Sequence, residues 1–153
     1  MNTAKEIANY MLSKRVLTPK QVQKLLYYAY SLYLIKYNDK YQQGQMNKLF
    51  DDKIEAWEHG PVIREVYDYI KKVALSNQLV ACNQKINLSS EKVENFIDKI
   101  LKIYGNFSGY ELEKMTHSEE PWNNAMKISK NSIISDEIIY NYYSNKYKNI
   151  GNM

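Results

Sequence analysis

Three copies of one helix-starting device constrain this chain more than any other feature. Thr3-Ala4-Lys5-Glu6, Thr18-Pro19-Lys20-Gln21 and Ser108-Gly109-Tyr110-Glu111 each place a hydroxyl residue three positions before Glu or Gln. In such a capping box the hydroxyl accepts from a backbone N–H of the first turn, while the carboxylate or amide reaches back to the N–H of the capping residue. The starts of three helices are thereby set. The first is expected to run from residue 3 to about Arg15, with Ile7, Ala8, Met11 and Leu12 on one face. The second carries Pro19 at its first position, where a missing N–H costs nothing, and continues to about Tyr37. Its Val22, Leu25, Leu26, Ala29, Leu32 and Tyr33 recur at helical spacing, and Leu34 and Ile35 widen the stripe. An apolar surface that broad belongs to a central helix contacted on several sides. The third box opens a short helix to about Thr116.

Between these points the punctuation changes. Asn38-Asp39 and Gln42-Gln43-Gly44-Gln45 are turn signals. Lys48-Leu49-Phe50 and Lys53 to Trp57 then read as two short strands joined at Asp51-Asp52. Gly60-Pro61 is expected to start a helix reaching about Ala74, with Val62, Val66, Tyr69, Ile70 and Val73 inward. Residues 76 to 88 are polar and irregular. Ser89 is the expected cap of a helix from Ser90 to Tyr104, with Leu88 and Val93 as its hydrophobic staple and Gly105 in the left-handed position that ends it. Pro121 marks the start of another helix, and Ser135-Asp136-Glu137 opens the last, to about Tyr147. The expected architecture is mainly α: a single compact domain, residues 1–153, of six to seven helices with a small β-hairpin near residues 48–57.

Composition narrows the function classes. A chain of 153 residues that is 44% hydrophobic and 25% charged is globular rather than disordered. Its net charge of +4 is spread along the sequence and is carried almost wholly by Lys. A nucleic-acid reader more often clusters Arg, whose fork makes bidentate contacts that an ammonium cannot. The first two helices could form a helix-turn-helix with Pro19, Lys20, Gln21, Gln23 and Lys24 toward DNA, but the second helix gives Leu25, Leu26 and Ala29 to the core. The lone Cys82 excludes an internal disulfide and a Cys-based zinc site, and reads as a buried structural thiol. With no signal-peptide core at the N-terminus and no apolar run near the ~20 residues that span a bilayer, a cytoplasmic, membrane-free protein is expected.

Two segments concentrate the residues with the strongest shape demands. Ile54-Glu55-Ala56-Trp57-Glu58-His59-Gly60-Pro61-Val62 and Thr116-His117-Ser118-Glu119-Glu120-Pro121-Trp122 each hold a Pro, a Trp and a His, in a chain with three Pro, two Trp and two His. Pro sets φ and Trp needs a shaped pocket with a partner for its N–H, so both segments are fixed corners. Trp57 with Gly60-Pro61 is either a contact for a partner or a strand-to-helix connection in which Trp57 plugs the core. Thr116, His117, Pro121 and Trp122 divide the same way. His59 and His117 could meet Glu55, Glu58, Glu119 or Glu120 around a metal, yet no spacing sets two of them on one helix face. There is no nucleophile elbow, phosphate-cradling glycine loop or paired-carboxylate spacing. A non-catalytic recognition module without metal or cofactor is the expectation.

Lys24-Leu25-Leu26-Tyr27-Tyr28-Ala29, Phe50, Ile54 to Val62 and then Val66-Tyr67 resemble the core signature of the Panacea antitoxin domain family, long known as a phage-associated domain. Tyr110-Glu111-Leu112, Thr116-His117 and Pro121-Trp122 resemble its C-terminal motif. The resemblance covers roughly residues 3 to 130. It implies a cytoplasmic antitoxin, encoded beside a toxin gene and frequent in prophages, that neutralises a cognate protein toxin by direct binding. A branch of the family works as a proteolytic adaptor to an AAA+ protease. Members with an added DNA-binding domain also exist, for which this chain has no room. The motif residues Lys24, Tyr27, Tyr28, Trp57, His59, Gly60, Pro61, Val62, Tyr67, Thr116, His117, Pro121 and Trp122 have no catalytic role to carry over. The oligomeric state stays open, a homo-oligomer included.

In the last helix Tyr140, Tyr143 and Tyr147 share one face at i, i+3, i+7, with Tyr142 beside it. Aromatic residues on more than one face serve either a well-buried helix or a helix that touches core and partner together. On the second alternative Tyr143 and Tyr147 are the candidate toxin contacts, with the polar 38–53 segment next in line.

Overall fold

The computed structural model describes residues 1–147. All three capping boxes form. They open α1 (Ala4–Lys14), α2 (Pro19–Lys36) and the fifth helix, with both reciprocal hydrogen bonds in place at Thr3, Thr18 and Ser108. Between α2 and the fifth helix come β1 (Glu55–Trp57), β2 (Gly60–Val62), α3 (Arg64–Ile70) and α4 (Glu91–Tyr104). Then follow α5 (Gly109–His117), α6 (Glu120–Ile128) and α7 (Asp136–Tyr147). The described residues are thus mainly α, with a two-stranded hairpin. None of these helices is long and apolar enough to cross a membrane.

The broad stripe on α2 is used as its width requires. From Val22 to Leu34 every residue of this helix is buried, and it packs on α1, α3, α4, α5, α7 and β2. A helix buried all round is the axle of its domain. Tyr28 stacks face to face on Tyr104 of α4 at 4.9 Å, and Tyr33 meets Phe96 edge-on at 5.4 Å. Much of the tyrosine content is therefore core.

The hairpin differs from the expected one. Residues 48–50 form no strand: Leu49 and Phe50 are both buried, and their side chains anchor an irregular segment on the core instead of entering a ladder. β1 instead pairs with the next segment, in the register Glu55↔Val62, Ala56↔Pro61, Trp57↔Gly60. Glu58-His59 forms the turn, and its twist is absorbed at Gly60, whose φ is +112°. Pro61 loses no ladder bond, because Ala56 opposite spends its N–H on Ser132 O and its C=O on Asn131 N along the other edge.

With residues 60–62 taken by the strand, α3 begins at Arg64 rather than Gly60, and Val62 lies in β2. It ends at Ile70, and Val73, expected inward, is 74% exposed in the turn that follows. Ser90, not Ser89, caps α4, since Ser89 is held by Asn2 through bonds of 2.7 and 3.1 Å. That shift takes Leu88 and Val93 out of staple register. Gly105 has φ −68° and is not left-handed; a Cβ there would sit 2.9 Å from Arg15 Nη1, so its smallness admits the guanidinium. Cys82 is half-buried rather than buried.

Candidate functional site

The motif residues of three separate segments converge where α2, β2 and α5 meet. Gln23 on α2 clamps the chain leaving β2: its amide donates to Ile63 O at 3.2 Å and accepts from Ile63 N–H at 2.8 Å. The next residue, Lys24, runs beneath the hairpin. It is 2% exposed, and its ammonium donates to Pro61 O at 3.2 Å. Gly60 makes this possible, because a Cβ there would stand 2.7 Å from Lys24 Cε and 3.1 Å from Thr116 Oγ1. Two constraints thus fall on Gly60, a left-handed φ and the space its missing side chain leaves.

Gly60→Ala is therefore expected to destabilise the fold by about 2–4 kcal/mol, from backbone strain and overpacking together. Urea denaturation would measure it. The overpacking share should be recovered when Lys24 is shortened to Ala in the same chain.

The charges around Lys24 are uneven. Glu113 on α5 accepts from Lys20 Nζ at 2.6 Å and from His59 Nδ1 at 3.2 Å. Burial works to raise the Glu113 carboxyl, but the hydrogen bonds from Lys20 and His59 prevail and hold it below the ordinary carboxylate range. Lys24 has no such partner among the described residues. Burial, with Lys20 acting in the same direction and Glu113 against it, pulls its ammonium down to about 7. Thr116, fully buried, donates to Glu113 O at 2.8 Å and so closes the α5 side.

The second corner packs against the first. His117 stacks on Trp122 with centroids 3.9 Å apart and planes 17° apart. Trp122 Nε1 donates to Trp57 O at 2.8 Å, tying α6 to the end of β1. His117 Nε2 is buried without a hydrogen-bond partner among the described residues. Burial lowers this imidazole, Glu113 opposes that, and Lys24 and His59 reinforce it. Of the two histidines, His59 meets a carboxylate, that of Glu113, while His117 stacks on Trp122. No group of three or more metal-ligating side chains occurs among the described residues.

Trp57 is half-buried rather than a core plug. Tyr67 meets its ring edge-on at 5.0 Å, Arg64 lies over the ring at 5.0 Å, and its Nε1 donates to Glu55 at 3.0 Å. Beside it opens a groove of about 770 Å³, with Lys20, Lys24, Trp57, His59, Tyr67 and Leu75 among its walls. Gly60 and Pro61 lie in the second strand of the hairpin, while Trp57, His59 and Tyr67 line the groove.

Tyr27 and Tyr28 serve another centre, one in which sequence reasoning gave Glu119 no structural part. Glu119 is 3% exposed, and its carboxylate accepts from Tyr28 at 2.7 Å and Lys146 at 2.7 Å. The Tyr143 hydroxyl lies 2.9 Å from both Glu119 and the Tyr27 hydroxyl. Tyr143 is fully buried and has no surface to offer a partner, which corrects its assignment as a contact: the i, i+3, i+7 face of α7 is the core face. Tyr147 is half-buried, its ring parallel to Tyr143 and its hydroxyl 3.4 Å from that of Tyr104.

The family model described as "Antitoxin SocA-like, Panacea domain" matches residues 22–123. The matched stretch begins inside α2 and ends inside α6, so it encloses Lys24, the hairpin, Glu113 and Trp122 and leaves α1 and α7 outside. No curated protein and no solved structure matches the chain.

Proposed function

Because the chain belongs to the SocA-like Panacea antitoxin family, we propose that it is the antitoxin of a toxin–antitoxin pair and neutralises a protein toxin by direct binding, without catalysis of its own. The family match carries this reading. It acts in the cytoplasm on a toxin encoded nearby, in the phage-associated setting that the family implies. The residues supporting recognition are those at the groove, where aromatic and cationic side chains surround a wide opening. A DNA-reading role for the start of α2 is disfavoured by burial, since Gln23 and Lys24 are both inside the protein.

Co-expression tests the proposal. The chain should restore growth to cells expressing the small neighbouring gene and should co-purify with its product as a stable complex. Rescue with loss of the toxin band but no complex would identify delivery to a protease instead. Rescue with an intact, unbound toxin would refute neutralisation by contact.

A further inference from the structure

We propose that the groove beside the hairpin receives an acidic segment of the partner protein, one carboxylate of which pairs with the Lys24 ammonium. Only the identity of the partner rests on the antitoxin reading; the groove's preference for a carboxylate stands on its geometry. An ammonium has three N–H donors, and Lys24 spends one, on Pro61 O. A buried cation held without a counter-ion is costly, and an incoming carboxylate would relieve that cost. Glu113, whose charge acts on Lys24, is engaged by Lys20 and His59. Gly60, having no side chain, leaves the place beneath the hairpin that Lys24 Cε and Nζ occupy, and Lys24 is among the residues that line the groove.

The surroundings choose the occupant. Lys20, Lys24, Lys71, Lys130 and His59 line the groove against one acid, Glu58. Tyr67 and Leu75, 41% and 69% exposed, give it apolar walls together with Trp57. A phosphate backbone would instead need a row of unengaged cations. Lys20 and Lys71 are paired with Glu113 and Asp68, and both arginines are held elsewhere, Arg15 by Asn106 and Arg64 by Glu55. A single buried ammonium between aromatic and aliphatic walls fits an extended peptide that alternates apolar and acidic side chains.

The test titrates the full chain, followed by tryptophan fluorescence, with a capped heptapeptide alternating Leu and Glu, its Leu/Gln counterpart and a single-stranded dT dodecamer. The Glu peptide should bind at least tenfold more tightly than the Gln peptide, and Lys24→Met should reduce that preference to within twofold. Leu75→Glu, an exposed rim change that leaves the fold alone, should weaken the Glu peptide at least fivefold. Equal binding of the two peptides, no binding by either, a preference that survives Lys24→Met, or displacement of the peptide by the dodecamer would each overturn the proposal. Growth rescue separates the two levels. If the chain neutralises its toxin while the peptides show no carboxylate preference, the groove proposal falls alone. If the peptides behave as stated and no toxin is neutralised, the antitoxin reading falls and the groove stands.

Discussion

Glu119→Ala is expected to cost about 3–5 kcal/mol, because it leaves buried groups facing an empty place where their shared acceptor stood. Those groups are the Tyr28 and Tyr143 hydroxyls and the Lys146 ammonium. In a chain of this size the loss should lower the midpoint of thermal unfolding by roughly 10 °C, readable by circular dichroism. The damage should centre on α7, since Glu119 joins Tyr143 and Lys146 of that helix to Tyr28 of α2. Glu119→Gln, which keeps an acceptor oxygen but gives up the charge, should fall between the wild type and the alanine variant. An alanine variant as stable as the wild type would mean that the aromatic packing alone holds α7.

Lys24→Met should act in the opposite direction and stabilise the fold. The ordinary value of 10.5 for this ammonium falls to about 7 on folding, with burial as the main cause. At 1.36 kcal/mol per unit, the folded protein then bears a cost on the order of 5 kcal/mol below pH 7, where the group is protonated in both states. Between pH 7 and 10.5 the unfolded chain binds the proton and the folded one does not, so wild-type stability from this group rises with pH. The cost is gone above 10.5. Methionine fills similar volume without charge but orphans Pro61 O, so the net gain at pH 6 should be roughly 2–4 kcal/mol, shrinking toward pH 10. Chemical denaturation of both proteins at pH 6 and pH 9 would read it. A variant less stable than the wild type at pH 6 would show that the ammonium is already satisfied.

These two residues also mark what could be read in advance. The three capping-box starts were legible because the device is local: Thr3, Thr18 and Ser108 need only residues three positions away. The breadth of the α2 stripe was legible too, as a sum over one helix. The hairpin was not, because pairing is decided at a distance. Leu49 and Phe50 have strand-forming character, but the core takes both, and Gly60-Pro61-Val62 became the partner of β1 once Gly60 supplied the positive φ. Charge was the least legible of all. Glu113 lies in α5 and Glu119 just before α6, and only the fold shows that each collects partners from elements far along the chain. Tyr143 fails for a related reason, since periodicity says which residues share a face but not which neighbour that face meets.

The position of α2 has a kinetic side. It is the second element of the chain, yet several of its tyrosines wait for the last. Tyr27 meets Tyr143 across 116 residues, and Tyr30 donates to Asp136 across 106. Closing loops of that length adds entropy only slowly with length, but contacts of such separation form late compared with neighbouring-helix contacts. Docking of α7 is therefore expected to be the late step, with substitutions at Tyr143 changing the unfolding rate more than the folding rate in stopped-flow denaturation.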